Sequence, residues 1–126
     1  MLVRELVGGE VLAVSPDVPI AETARIMKAN DIGSLAVTGR DGDLEGIITE
    51  RDLVAVLAAG VDASRAQTSQ WMTEYPDTFG PEMDVIEASE WMLASGYRHI
   101  PVVENGLPVG MISIKDVLWA VTGPGG

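Results

Sequence analysis

Apolar residues in this chain switch between two spacings, and they do so twice. Val11 to Val14 is a short apolar run closed by Ser15-Pro16-Asp17, which reads as a strand running into a turn. Ile20, Ala24 and Met27 then recur at helical spacing. They predict an amphipathic helix that opens at Pro19 and stops at Asn30-Asp31 and Gly33. Leu35-Ala36-Val37 predicts a buried strand, Arg40-Asp41-Gly42-Asp43 a hairpin turn, and Leu44 to Ile48 the returning strand. A second helix is predicted from Glu50, capped by Thr49, with Leu53, Val56 and Leu57 on its buried side and Gly60 at its end.

The same order returns about 65 residues later. Phe79-Gly80-Pro81 stands where Val14-Ser15-Pro16 stood. Val85, Ala88 and Met92 form a helical apolar stripe, stopped by Gly96. Ile100-Pro101-Val102 answers Leu35-Ala36-Val37, and Glu104-Asn105-Gly106 is a hairpin turn one residue shorter than its counterpart. Met111-Ile112 returns, Ser113 caps, and Lys115 to Val121 closes the pattern as a helix. The predicted fold class is therefore α/β (α+β), with two β-α-β-β-α repeats. Repeat one covers 1–60, a connector 61–75, repeat two 76–122, and 123–126 reads as a frayed tail. In the connector, Asp62-Ala63-Ser64 reads as a loop, Thr68 to Trp71 as a helical turn and Trp71-Met72-Thr73 as an apolar anchor. Halves of this size are marginal alone, so the two are expected to share a core.

The repeat is sharpest in one phrase. Gly46-Ile47-Ile48-Thr49-Glu50-Arg51-Asp52-Leu53 reappears 64 residues on as Gly110-Met111-Ile112-Ser113-Ile114-Lys115-Asp116-Val117. Each copy offers a hydroxyl, a cation and a carboxylate at a predicted helix start. Unpaired N–H groups there suit a phosphate, and a carboxylate one turn in can accept from two sugar hydroxyls. The same residues fit a purely structural role as N-cap and dipole partner.

Composition narrows the chemistry. The chain has 126 residues, 47% of them hydrophobic, and a net charge of −11. That balance argues against a nucleic-acid backbone or an anionic membrane as partner. The absence of cysteine excludes disulfides and thiolate chemistry, and a single histidine, His99, excludes a His-rich metal site. No apolar run approaches the roughly 18 residues of a membrane span, and the N-terminus lacks the pattern of a signal peptide. The expected compartment is the cytoplasm. No feature pairs His99 with a nucleophile, so no enzymatic activity and no metal are expected. Trp91 and Trp119, inside predicted helices, are expected to fill a core or a dimer seam.

In its doubled phrase, in Asp31-Ile32-Gly33-Ser34-Leu35-Ala36-Val37 and in Tyr97-Arg98-His99-Ile100-Pro101-Val102-Val103, the chain resembles the cystathionine β-synthase (CBS) domain family. The resemblance is to a tandem pair, or Bateman module, and covers nearly the whole chain. It implies repeats packed through their sheets with pseudo-two-fold symmetry and two clefts between them. In the family such clefts hold regulatory adenosine compounds (AMP, ADP, ATP or S-adenosylmethionine), with no cofactor required. Carried over, one cleft would use Ser113, Asp116, Arg98, His99 and Ile100, with Ile32 and Gly33 opposite. The other would use Thr49, Arg51 and Asp52, with Tyr97 and residues 72–76 nearby, and Lys115 is a further candidate contact. Arg98-His99 stand where copy one has Gly33-Ser34, so the Ser113/Asp116 cleft is expected to hold phosphate better. Ala36 departs from the proline that many relatives carry. The resemblance further implies a homodimer and an effector protein that receives the signal; the alternative is a dimeric scaffold with degenerate clefts.

Overall fold

Turn chemistry and helix ends follow the residues that favour them. A computed structural model of the chain describes residues 1–8 and 11–123. Copy one contains β1 (Ala13–Val14), α1 (Ile20–Asn30), β2 (Ser34–Thr38), β3 (Leu44–Thr49) and α2 (Glu50–Ala59). The connector contributes β4 (Thr73–Glu74), and copy two contains α3 (Val85–Ser95), β5 (His99–Glu104), β6 (Leu107–Ser113) and α4 (Ile114–Thr122). Helix α1 ends on Asp31 and α3 on Gly96, both in the left-handed conformation that frees the chain from the helix. Asp84 starts α3 by accepting the Ile86 N–H at 2.8 Å. The β5–β6 hairpin turns through Asn105 (φ 54°) and Gly106 (φ 80°), both in the positive-φ region that a two-residue turn of this hand requires.

The chain divides into two units, and they do not coincide with the repeat boundaries read from the sequence. One unit is Leu12–Pro76; the other joins Met1–Val11 to the second half from Asp77 onward. The first holds a four-stranded sheet in the order β1-β2-β3-β4, with β1 parallel to β2 and the other pairs antiparallel. The second holds the antiparallel β5–β6 pair. The strand predicted around Phe79 is reduced there to one parallel bridge, Phe79 to Val102, which repeats the Val14–Val37 pairing of β1 and β2. Both long hairpins slip register at the same place, between Val37 and Thr38 and between Val102 and Val103.

Each unit has its own apolar centre. Val14, Ile20, Met27, Leu35, Val37, Ile48, Val56 and Ala66 form one. Val3, Phe79, Val85, Ala88, Met92, Ile100, Val102, Ile112 and Val117 form the other. Two segments explain the difference: Ala66, Trp71 and Met72 of the connector pack on the first centre, and Val3, Leu6 and Val7, from the start of predicted repeat one, on the second. The expected Trp71-Met72 anchor is thus in place.

Two expectations about side chains need correction, and the tryptophans divide. On α1 the buried stripe runs Ile20, Thr23, Met27, with Ala24 only at its margin. On α2 the stripe centres on Val56, and Leu57 lies about 100° round the helix from it, leaving it 76% exposed. Trp119 is 63% exposed on α4 and fills no core within its unit. Trp91, 36% exposed, belongs to a small aromatic cluster, edge-on to Phe79 and stacked on Tyr97, each at 5.7 Å between ring centres. The predicted tail, apart from Gly123, lies outside the described residues.

Candidate functional site

Each copy builds a helix-start site at the point where its second hairpin strand runs straight into a helix. In copy one β3 ends at Thr49 and α2 begins at Glu50; in copy two β6 ends at Ser113 and α4 begins at Ile114. No loop intervenes, so the rigid hairpin fixes the first helical turn. The first helical N–H is tied to the neighbouring strand's entry: Glu50 donates to the Gly33 carbonyl at 3.0 Å, and Ile114 to the Arg98 carbonyl at 2.8 Å.

Both aspartates are committed in part to this turn, and differently. Asp52 accepts the Thr49 N–H at 2.8 Å and the Thr49 hydroxyl at 3.1 Å through the same oxygen, Oδ2. Asp116 Oδ2 accepts the Ser113 N–H at 3.3 Å, while Ser113 Oγ accepts the Asp116 N–H at 3.1 Å. The second arrangement is a reciprocal capping box. In both copies the other carboxylate oxygen, Oδ1, takes no part in the cap and remains available to an outside donor. Asp116 is exposed and Asp52 is half-buried.

The cations are distributed unevenly. Among the described residues the ion pairs use Arg4, Arg25 and Arg65. Arg51, Arg98 and Lys115 are exposed and take part in none of them. Copy one brings Ile32, Gly33, Thr49, Arg51 and Asp52 into one unit, with one cation. Copy two brings Tyr97, Arg98, His99, Ser113, Lys115 and Asp116 into the other, with two. His99 sits opposite Ser113 in the β5–β6 register, as Ser34 sits opposite Thr49. Ile100 is 2% exposed in the apolar centre, so its side chain serves packing. Tyr97 belongs to the Arg98 unit and keeps one ring face on Trp91.

Sequence reasoning missed Thr23, a fully buried polar residue on α1, because only apolar positions were used to find the buried face. Its hydroxyl lies 2.7 Å from that of Thr68. A buried position for Thr23 was available in the i, i+3, i+7 spacing with Ile20 and Met27.

The geometry defines a class first: a duplicated mixed α/β module carrying a pair of equivalent, unequally charged helix-start sites. The profile of the CBS domain matches residues 3–59 and again 69–123. The chain belongs to the CBS domain family, as a tandem pair. A 17.7 kDa uncharacterised protein of Acidianus ambivalens is 35% identical over 120 residues, covering 94% of this chain and 72% of that protein. The chain spans only 60% and 57% of two further curated relatives that it matches. Among solved structures, the CBS-domain containing protein ATU1752 of Agrobacterium tumefaciens is 38% identical with a TM-score of 0.87, covering 96% of this chain and 99% of that one. The CBS domain protein PAE2072 of Pyrobaculum aerophilum, solved in complex with AMP, is 27% identical with a TM-score of 0.85, covering 92% of this chain and 89% of that one.

Proposed function

We propose that this chain is a regulatory, non-catalytic module that binds an adenosine-containing ligand (AMP, ADP or ATP) at its helix-start sites and relays that state to an effector protein. The observation that carries this reading is the copy-two site. Asp116 keeps one oxygen for ribose hydroxyls, and Arg98, exposed and outside every ion pair of the described residues, has its main chain tied to the same helix start through its carbonyl on Ile114. A phosphate gains from a guanidinium that is not already paired, through charge and several donors. The AMP complex of the Pyrobaculum aerophilum relative supports the ligand class. Ser113, Lys115 and His99 complete the copy-two set, and Thr49, Arg51 and Asp52 form a weaker second site. S-adenosylmethionine is the competing ligand, with adenosine but no phosphate. The module works in the cytoplasm; among the described residues no helix is long and apolar enough to cross a membrane.

The test is isothermal calorimetry and melting with AMP, ADP, ATP and S-adenosylmethionine. Saturating ligand at about 100 Kd raises stability by about 2.7 kcal/mol. Asp116→Ala abolishes nucleotide binding and Asp52→Ala weakens it less; the reverse ranking removes the copy-two assignment. If no adenosine compound binds, the sensor reading fails. A second reading, a homodimeric scaffold with empty sites, draws on exposed apolar residues of the second helices: Val54 (63%) and Leu57 (76%) on α2, and Trp119 on α4. Sedimentation of wild type against Leu57→Glu and Trp119→Glu tests that dimer directly.

A further inference from the structure

Two short segments, one at the start of predicted repeat one and one in the connector, are the same element written twice. Residues 1–7 and 66–72, 65 positions apart, each form one 3-10 turn, Val3–Glu5 and Thr68–Gln70. Three main-chain bonds from each segment to the body it packs on match in pairs. Val3 N–H donates to the Met83 carbonyl at 2.7 Å, and Thr68 N–H to the Val18 carbonyl at 2.9 Å. Arg4 donates to Pro81 at 2.9 Å, and Ser69 to Pro16 at 2.8 Å. Val85 donates to the Met1 carbonyl at 3.0 Å, and Ile20 to the Ala66 carbonyl at 2.9 Å. Both segments are therefore leaders, one for each repeat. Each docks on the body of the other repeat: leader one with α3, leader two with α1.

Matching backbone bonds cannot tell the two leaders apart, so side chains must. The third residue of each leader is fully buried: Val3 in one, Thr68 in the other. The corresponding helix positions are also fully buried, Ala88 on α3 and Thr23 on α1. Thr68 donates its hydroxyl proton to the Val18 carbonyl at 2.7 Å. Its oxygen must then accept from Thr23, 2.7 Å away, because a hydroxyl has one proton. Val3 and Ala88 share an apolar centre instead. A leader docked on the wrong body would set Val3 against the Thr23 hydroxyl and Thr68 against the Ala88 methyl. The first mismatch leaves the buried Thr23 hydroxyl short of its partner, which is the costly outcome for a polar group away from water; the second sets the Thr68 oxygen against a methyl instead of a donor.

We propose that Thr23–Thr68 and Val3–Ala88 form a pairing code: a hydroxyl pair admits one leader to α1, an apolar pair admits the other to α3, and together they set which leader each surface accepts. The surfaces are thus selective docking sites for segments of this same chain. The code has two measurable consequences.

The first is a double-mutant cycle on the full chain with Thr23→Ala, Thr68→Val and both. Thr68→Val alone lowers the melting temperature by about 3–6 °C. The double variant loses less than the sum of the singles, because no hydroxyl is then orphaned. Thr68→Ser, which keeps the hydroxyl, retains the coupling. The second uses engineered cysteines in this cysteine-free chain, refolded under oxidation. Leu2→Cys with Asp84→Cys, at an antiparallel bridge, cross-links in the native background. Gln67→Cys with Asp84→Cys does so only when Thr23→Ala and Thr68→Val erase the distinction. Additive losses in the cycle, or no mispaired disulfide in the erased background, overturn the code.

Discussion

Ser113 accepts a hydrogen bond from the backbone of Asp116, whereas Thr49, its counterpart 64 residues earlier, gives its hydroxyl proton to Asp52. The first exchange completes a helix cap; the second spends the hydroxyl on a carboxylate that already holds the Thr49 N–H. A similar contrast separates the strand entries. Copy two places Arg98 and His99 beside its cap, and copy one places Gly33 and Ser34 there. A duplicated backbone thus leaves the two helix starts free to diverge in charge and exposure while the bonds that shape them stay matched.

The comparison is tested most severely at the two centres. Ile48 and Ile112 occupy equivalent, fully buried positions. Ile48→Ala and Ile112→Ala are each expected to cost about 2–5 kcal/mol, and urea unfolding should find them alike. A several-fold difference would mean that the units do not contribute equally to one cooperative transition.

Next come the close approaches at Gly46 and Gly110. A Cβ on Gly46 would stand 2.6 Å from the Thr73 carbonyl oxygen, and one on Gly110 2.5 Å from the Val7 side chain. Each Ala substitution is expected to cost about 1–3 kcal/mol through overpacking. Amide exchange should show the damage in different places: β4 for Gly46→Ala, the residues around Val3 for Gly110→Ala. Exchange that rises in the same segment for both would break the correspondence.

The caps predict a smaller and unequal effect. Ser113→Ala removes the acceptor of a helix N–H and should cost about 1 kcal/mol. Thr49→Ala removes a donor to Asp52, whose bond to the Thr49 N–H survives, so its loss should be smaller. Equal losses in thermal melting would show that the two hydroxyls do the same work.

The smallest effect is acid sensitivity at two carboxyls of the first unit. The Ser15 hydroxyl and a backbone bond hold the Asp17 carboxyl below its ordinary value, and Ser64 does the same for Asp62 through its hydroxyl and its N–H. A carboxyl lowered in the folded state adds stability above its ordinary value and loses it as the pH falls through the lowered one. Carboxyl NMR titration should place both midpoints below those of exposed model carboxylates. Ser15→Ala and Ser64→Ala should raise each part of the way back, since the backbone bonds remain.

Much of this was legible in the residues. Period and turn chemistry placed the four helices and the two long hairpins, because a Gly, Asn or Asp at a positive-φ position restricts the backbone wherever it occurs. Met92 and Met27 were found buried as their spacing required, and the doubled phrase gave both helix starts. Leu57 was misplaced because periodicity finds an apolar face without saying which edge meets the core. Thr23 was missed because a polar side chain can be buried once a partner reaches it, and Thr68 lies 45 positions away.

The sequence by itself determined the duplication, the order of elements in each copy, and the chemistry offered at each helix start, since all three rest on local spacing. Tertiary structure decided where the first residues and the connector belong and which polar groups are already taken. Residues 1–7 pack with the second half and residues 66–72 with the first, through backbone bonds that no local pattern encodes. Half the bonding capacity of Asp52 and Asp116 is drawn into their own caps for the same reason. Partners distant in sequence, and the spare valence left after folding, exist only once the chain has closed on itself.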